Sequence, residues 1–179
     1  MKTQALLKAS NLPNQRSGVL GFTLIELLIT IVIAGILATV AIPAFTGFIA
    51  NQRIKTASFD MISQLMLVRS EAIKRNNTVT ISRIGTNWRN GWTVAADATP
   101  LTPLSQQAPL TERLSIECGT GTTTTVAACP ASITYRGDGR LVAASLPFRI
   151  FNTTNTTSAN TRCISIDLSG RPNSKKGNC

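Results

Sequence analysis

The uncharged run Leu27–Ala50 constrains this chain more than any other feature. It is 24 residues long, and at ~1.5 Å per helical residue it reaches ~36 Å, enough to cross a bilayer core with some tilt. A secretory signal has a shorter apolar stretch, about 7–15 residues, ahead of a small-residue cleavage site, so this run reads as a retained anchor. Met1–Gly21 carries Lys2, Lys8 and Arg16 and no acid. The positive-inside rule therefore keeps it cytoplasmic and sends the C-terminal portion across the membrane. Pro43 lies inside the run, where it should kink or locally open a helix. One charge stands at its mouth, Glu26. A carboxylate costs roughly 2.5–3.5 kcal/mol at the centre of a membrane helix and less near the end, so Glu26 needs a partner and marks a functional position.

The chain has 179 residues, room for one membrane segment and one domain of ~100–130 residues. After the anchor, Ile54, Ala57, Met61, Leu65, Val68 and Ala72 recur at steps of three and four, with charged residues on the other faces. The pattern predicts an amphipathic helix continuing to about Arg75 and ending at Asn76-Asn77. Strands are predicted at Thr78–Ile84, Trp92–Ala96, Leu114–Cys118, Ser132–Arg136, Leu141–Ala144, Pro147–Phe151 and Cys163–Leu168, in antiparallel sheets. Gly137-Asp138-Gly139 is a tight-turn signal joining two of them. Asp97–Leu110, with three prolines, reads as a surface loop. The Thr- and Asn-rich stretches Thr120–Thr125 and Asn152–Asn160 read as mobile.

Cys118, Cys129, Cys163 and Cys179 all lie on the exported side. An even count in an oxidising compartment favours disulfides. Three connectivities are open; Cys118–Cys129 with Cys163–Cys179 closes the shortest loops and ties down the last residue. Each bridge contributes ~3 kcal/mol on the loop-entropy model. Without histidine or a close cysteine pair, the cysteines do not form a zinc site of the usual kind.

Catalysis finds little support. With no histidine there is no Ser-His or Cys-His dyad, the acids show no paired spacing, and no glycine-rich phosphate loop follows a strand. The sequence predicts no enzyme, no cofactor and no metal.

Gly21-Phe22-Thr23-Leu24-Ile25-Glu26 with the apolar run behind it resembles the class III leader junction of type IV pilins and type II secretion pseudopilins. The resemblance implies that a prepilin peptidase cuts between Gly21 and Phe22, that Phe22 becomes the N-methylated first residue, and that Glu26 meets the N-terminal amine of a neighbouring subunit. It divides the chain into a leader (1–21), the transmembrane half of the N-terminal helix (22–50), and a remainder (51–179) holding the amphipathic half and a β-rich head. It places the chain in the bacterial inner membrane, single-pass with a periplasmic head, then in a pilus filament beside other pilins. Pilin-like helices commonly carry a proline where Pro43 stands, which implies loosening there on leaving the membrane.

Val68-Arg69-Ser70-Glu71-Ala72-Ile73-Lys74-Arg75-Asn76, followed by Trp88-Arg89-Asn90-Gly91-Trp92, is similar to the FimT/GspH group of minor pilins and pseudopilins. The fold implied is α+β and pilin-like, a long N-terminal helix packed on a C-terminal antiparallel β-sheet head. Taken by themselves, Arg69, Lys74 and Arg75 also read as a solvated helix face and the two tryptophans as hairpin packing.

Charge is the remaining signal. Past the leader, and with Glu26 set aside, 15 cations face 7 acids, a net of +8, and a head this basic attracts polyanions. DNA, an anionic membrane surface and acidic partner pilins all qualify. The tail Ser169–Gly177 concentrates Arg171, Lys175 and Lys176 on what reads as a loop. FimT-type minor pilins of naturally transformable bacteria are implicated in binding double-stranded DNA through a C-terminal Gly-Arg-x-Arg motif. Gly170 and Arg171 match its first half, but Asn173 stands in the second arginine's place, where bidentate contact is lost. Lys175 and Lys176 supply point charges instead. Arg136, Arg140 and Arg149, near predicted strand ends, are candidates to extend the patch. The alternative is a type II secretion pseudopilin, GspH-like, with a purely structural role.

Overall fold

The computed structural model describes residues 21–96, 103–121, 124–125, 128–154 and 161–179, without the side chains of Pro43 and Ala44. Lys2, Lys8, Arg16, Asp97 and Pro100 lie outside the described residues. By its internal contacts the chain divides into two units, Met1–Pro43 and Ala44–Cys179.

Helix α1, Leu24–Arg75, contributes residues to both units. Thr23 starts it: the Glu26 N–H donates to Thr23 Oγ1 at 3.3 Å and the Leu27 N–H to the Thr23 carbonyl at 3.1 Å, which makes Thr23 the N-cap. In the first unit the described side chains are exposed on every side apart from half-buried Ala38. The segment is long and apolar enough to cross a membrane, with a mean hydropathy of 2.6. Its two hydroxyls, on Thr30 and Thr39, donate to the Leu27 and Ile36 carbonyls at 2.8 and 2.7 Å. Both polar groups are thereby satisfied without water.

In the second unit the helix turns amphipathic. Ile54, Ala57, Met61, Leu65, Val68 and Ala72 are all buried, joined by Ser58. Each large side chain so covered contributes about 1.5–3 kcal/mol. The helix closes on Asn76, in the left-handed region at φ 49°. The Asn76 N–H reaches the Ile73 carbonyl and the Asn77 N–H the Ala72 carbonyl, a Schellman end.

Among the described residues eight strands form two antiparallel sheets of four. The first has β1 (Val79–Arg83) between β2 (Trp92–Ala96) and β5 (Ser132–Tyr135), with β3 (Ser105–Gln107) beyond β2. Ile81 sits opposite both Val94 and Ile133. The second runs β4 (Leu114–Cys118), β6 (Phe148–Asn152), β7 (Thr161–Ile166), β8 (Pro172–Lys176). Burial alternates along β1, β2 and β4, so one face of each sheet joins the helix stripe in a single core.

The core is closed by Trp88, in a single 3-10 turn (Trp88–Asn90), and Trp92. Both are fully buried; Trp88 Nε1 donates to the Pro130 carbonyl at 2.8 Å, and its ring meets Phe148 edge-on at 5.3 Å. Disulfides join Cys118 to Cys129 and Cys163 to Cys179. The first links the end of β4 to the approach to β5, and so one sheet to the other.

Five expectations need correcting. Leu141–Ala144 is not a strand: Leu141 makes one bridge to Tyr135, and the Val142 N–H bonds the Thr134 carbonyl, before the chain departs. The Gly137–Gly139 turn therefore closes β5 on a short return instead of joining two strands. The loop expected over Asp97–Leu110 contains β3, and the tail expected as a loop is β8. Thr124 and Thr125 are tied down: Thr125 bridges Cys118, and the Thr124 hydroxyl donates to Glu117 at 2.9 Å.

Candidate functional site

Two turns of the same construction meet at one corner of the head. In the first, Asp138 Oδ1 accepts the Arg140 N–H at 3.0 Å, and Gly139 adopts φ 76°. In the second, between β7 and β8, Asp167 Oδ1 accepts from the Ser169 N–H, the Ser169 hydroxyl and the Arg171 N–H at 2.9, 2.6 and 2.9 Å, and Gly170 adopts φ 80°. The bond from the Ser169 hydroxyl, and then that from the Arg171 amide, hold the Asp167 carboxyl below the usual carboxylate range.

The glycines bring the turns together. A Cβ on Gly170 would lie 2.2 Å from the Gly139 carbonyl oxygen, and one on Gly137 would lie 2.7 Å from the Asn76 backbone at the helix end. Both positions need glycine for close approach, and Gly170 also for its positive φ. Arg69 of α1 seals the junction, its Nε donating to the Gly139 carbonyl at 3.0 Å. Tyr135 lies fully buried beneath it, and burial pushes its phenol up to about 12.

The corner therefore carries Arg136, Arg140 and Arg171, all exposed, around buried Gly139 and Gly170. Arg136 makes a half-exposed pair with Asp138 at 3.4 Å, a contact of little energetic weight. Among the described residues, Arg140 and Arg171 make no ion pair.

Lys175 and Lys176 do not join this group. A strand alternates its side chains, and β8 places Lys175 opposite Cys163, on the outer face near the disulfide, and Lys176 opposite Arg162, on the face that turns to α1. Arg149 is also elsewhere: it pairs with Glu117 across β4 and β6 at 2.9 Å and stacks on Phe151. Lys74 and Arg75 are engaged by Glu71, whose pKa is lowered chiefly by its bond from Arg75.

Three contributors escaped sequence reasoning. Taken by itself Arg69 also reads as part of a solvated face, Asp167 stands among scattered acids, and Thr23 lies unremarked inside the leader motif. The last two had signals: an acid four residues before Arg171, and Thr-x-x-Glu at a helix start. At the other end of the chain Gly21 and Phe22 are exposed, and Glu26 occupies the first turn of α1, where the helix dipole favours an anion. No group of three metal-ligating side chains occurs among the described residues.

An apolar N-terminal helix opening on such a junction, followed by a helix-backed pair of antiparallel sheets, defines a pilin-like filament subunit. The chain belongs to the family of the type II transport protein GspH, whose model matches residues 57–170. The prokaryotic N-terminal methylation motif matches residues 16–42.

Solved structures share the fold. The type IV minor pilin FimU of Pseudomonas aeruginosa strain PAO1 is 20% identical, with a TM-score of 0.59 over 72% of this chain and 92% of that one. A second crystal form of FimU gives 21% identity and a TM-score of 0.54 over 68% and 91%. The minor pseudopilin EpsH of the Vibrio cholerae type II secretion system is 15% identical, with a TM-score of 0.51 over 71% and 96%. No curated protein sequence matches the chain. The chain is thus a minor pilin or pseudopilin, of a family of structural subunits that assemble with other pilins.

Proposed function

We propose that the chain is a minor subunit of a type IV pilus, processed by a prepilin peptidase between Gly21 and Phe22 and held in the inner membrane, head in the periplasm, until it enters the filament. The observation that carries this is the apolar half of α1, exposed at every described position but Ala38 and Ala50, with Glu26 as the sole charge between Gly21 and Gln52. Such a surface needs lipid or neighbouring helices, and such a carboxylate needs a counter-ion. The N-methylated amine of Phe22 in an adjacent subunit supplies one and sets register. The head selects partners, and no catalytic role is assigned to it.

The test compares Gly21→Ala with Glu26→Leu, reading N-terminal mass and recovery in sheared filaments. The first variant is expected to keep its leader; the second is expected to be cut but excluded from filaments. Normal cleavage of Gly21→Ala overturns the leader assignment, and normal incorporation of Glu26→Leu overturns the register role. The basic head and the Cys163–Cys179 bridge favour a pilus over a GspH-like secretion pseudopilus, and the neighbouring genes, pilus or secretion, separate the two.

A second activity at the same head is favoured by the paired turns: capture of double-stranded DNA in natural transformation, with Arg171 and Arg140 as the main phosphate contacts, Arg136 beside them and Gly170 allowing close approach. Anisotropy of labelled duplex with the full chain in detergent should show salt-sensitive binding, with a log-log slope of about −2.7 for three phosphates. Changing all three arginines to alanine should abolish it. Absence of binding at low salt leaves the structural role alone.

A further inference from the structure

Lys176, set apart from the arginine corner, belongs to a second basic feature. An open cleft of about 430 Å³ lies between α1 and the far end of the β7–β8 pair. Three cations line it, Lys55 from the helix, Arg162 from β7 and Lys176 from β8, and none of its lining residues is acidic. Arg162 and Lys176 are direct cross-strand partners. Like charges directly opposite on an antiparallel pair destabilise it. Among the described residues none of the three makes an ion pair. Among the described residues the fold therefore concentrates positive charge at one concave point and sets no acid there to neutralise it.

The rest of the lining says what that is. Asn51 and Gln52 contribute amide groups, and Phe48 an exposed aromatic ring. Phe48 lies in the last turn of the uncharged run, and Asn51 and Gln52 directly follow its end at Ala50. A ligand matched to this lining has an anionic, hydrogen-bonding head and an apolar body, and meets the helix where it leaves hydrocarbon. Free phosphate has no use for Phe48. Duplex DNA has no apolar tail to set on it.

We propose that this cleft binds the phosphate headgroup of an anionic phospholipid from the outer leaflet of the membrane in which the subunit waits. Lys55, Arg162 and Lys176 clamp the phosphate, and Phe48 packs against the upper acyl chain. The proposal rests on the membrane-anchored reading above. The headgroup relieves the Arg162–Lys176 repulsion and orients the head before assembly.

The test uses the full chain in nanodiscs of phosphatidylcholine with phosphatidylglycerol, and native mass spectrometry to count lipids retained on release. The wild-type chain is expected to retain phosphatidylglycerol over phosphatidylcholine. Changing Lys55, Arg162 and Lys176 together to alanine should lower that preference on the order of a hundredfold, as three interfacial cations imply. Changing Arg136, Arg140 and Arg171, an equal loss of charge, should leave it unchanged. Lys176→Glu guards against misfolding, because it creates an opposite-charge pair with Arg162; its melting temperature should hold or rise while phosphatidylglycerol is lost.

Equal retention in the wild-type chain and the cleft variants overturns the proposal, as does equal loss in both triple variants. Displacement of the lipid by inorganic phosphate at matched concentration, or by duplex DNA, reassigns the cleft to those ligands and overturns it too. Carbonate extraction separates the two readings: a chain stripped from the membrane refutes the anchor itself, whereas one that stays but retains no phosphatidylglycerol refutes only the cleft.

Discussion

Leu37 and Leu65 are the same residue in the same helix, yet the first is 65% exposed and the second not at all. Both halves of α1 satisfy their backbone internally, so helix formation does not distinguish them; their partners do. The head half carries one apolar stripe and meets it with its own sheets. The first half is apolar all round and finds no cover in the described part of the chain, so its stability depends on what surrounds it. Among the described residues, only the head half of the helix is covered by the chain's own side chains.

The comparison breaks most readily at these leucines. Leu65→Ala should cost about 2–5 kcal/mol by opening a cavity in the core, and Leu37→Ala within about 0.5 kcal/mol. Urea unfolding of the full chain in detergent measures both, because Trp88 and Trp92 are buried in the head and their fluorescence reports on it alone. Similar losses would mean that the two halves are one cooperative unit.

Glycines sharpen the contrast. Gly170→Ala places a methyl against the Gly139 carbonyl at positive φ, with an expected cost of about 1–3 kcal/mol and a displaced Arg171. Gly47→Ala enters open space in a helix and should be neutral or stabilising by up to about 1 kcal/mol. The same urea unfolding compares the two.

The smallest effect concerns pH. The Asp167 carboxyl is held below its ordinary value, so its contribution is present above the unfolded-state pKa and is lost as pH falls through the lower, folded one. The protection of the Arg171 amide, its hydrogen-exchange rate compared with the intrinsic rate at each pH, should be high at neutral pH and fall as acid protonates Asp167. Asp167→Asn, which keeps an acceptor oxygen but does not titrate, should remove that pH dependence. An unchanged profile in the variant would assign it to Glu71 or another acid.

Periodicity made the helix legible. The stripe from Ile54 to Ala72 was read position by position because a 3.6-residue repeat survives any tertiary context, and Trp88 and Trp92 announced a packed hairpin by size alone. The missed strands lack such marks. Pro-Asn-Ser-Lys-Lys in β8 has no β-branched or aromatic residue and is a strand because β7 and the Asp167 turn hold it there. Ser-Gln-Gln in β3 likewise takes its conformation from β2. Leu141–Ala144 failed in the opposite sense, since only Leu141 and Val142 find partners along β5 before the chain leaves. The arginine corner was half legible: its cations were named from sequence, but their convergence depends on Gly170 docking against Gly139, a contact between residues 31 apart, and the strand alternation that separates Lys175 from Lys176 required β8 to be known.

The Cys163–Cys179 bridge bears on how such a head withstands load. β8 is an edge strand, and a ladder pulled from its free end opens one hydrogen-bonded pair at a time under small force. Here Cys179, just past β8, is bonded covalently to β7, so tension applied at Cys179 passes into β7 before any rung of the β7–β8 ladder is stretched. The edge cannot unzip from its tip while the bridge is intact, and reduction converts the same sheet from a sheared structure into a peeled one.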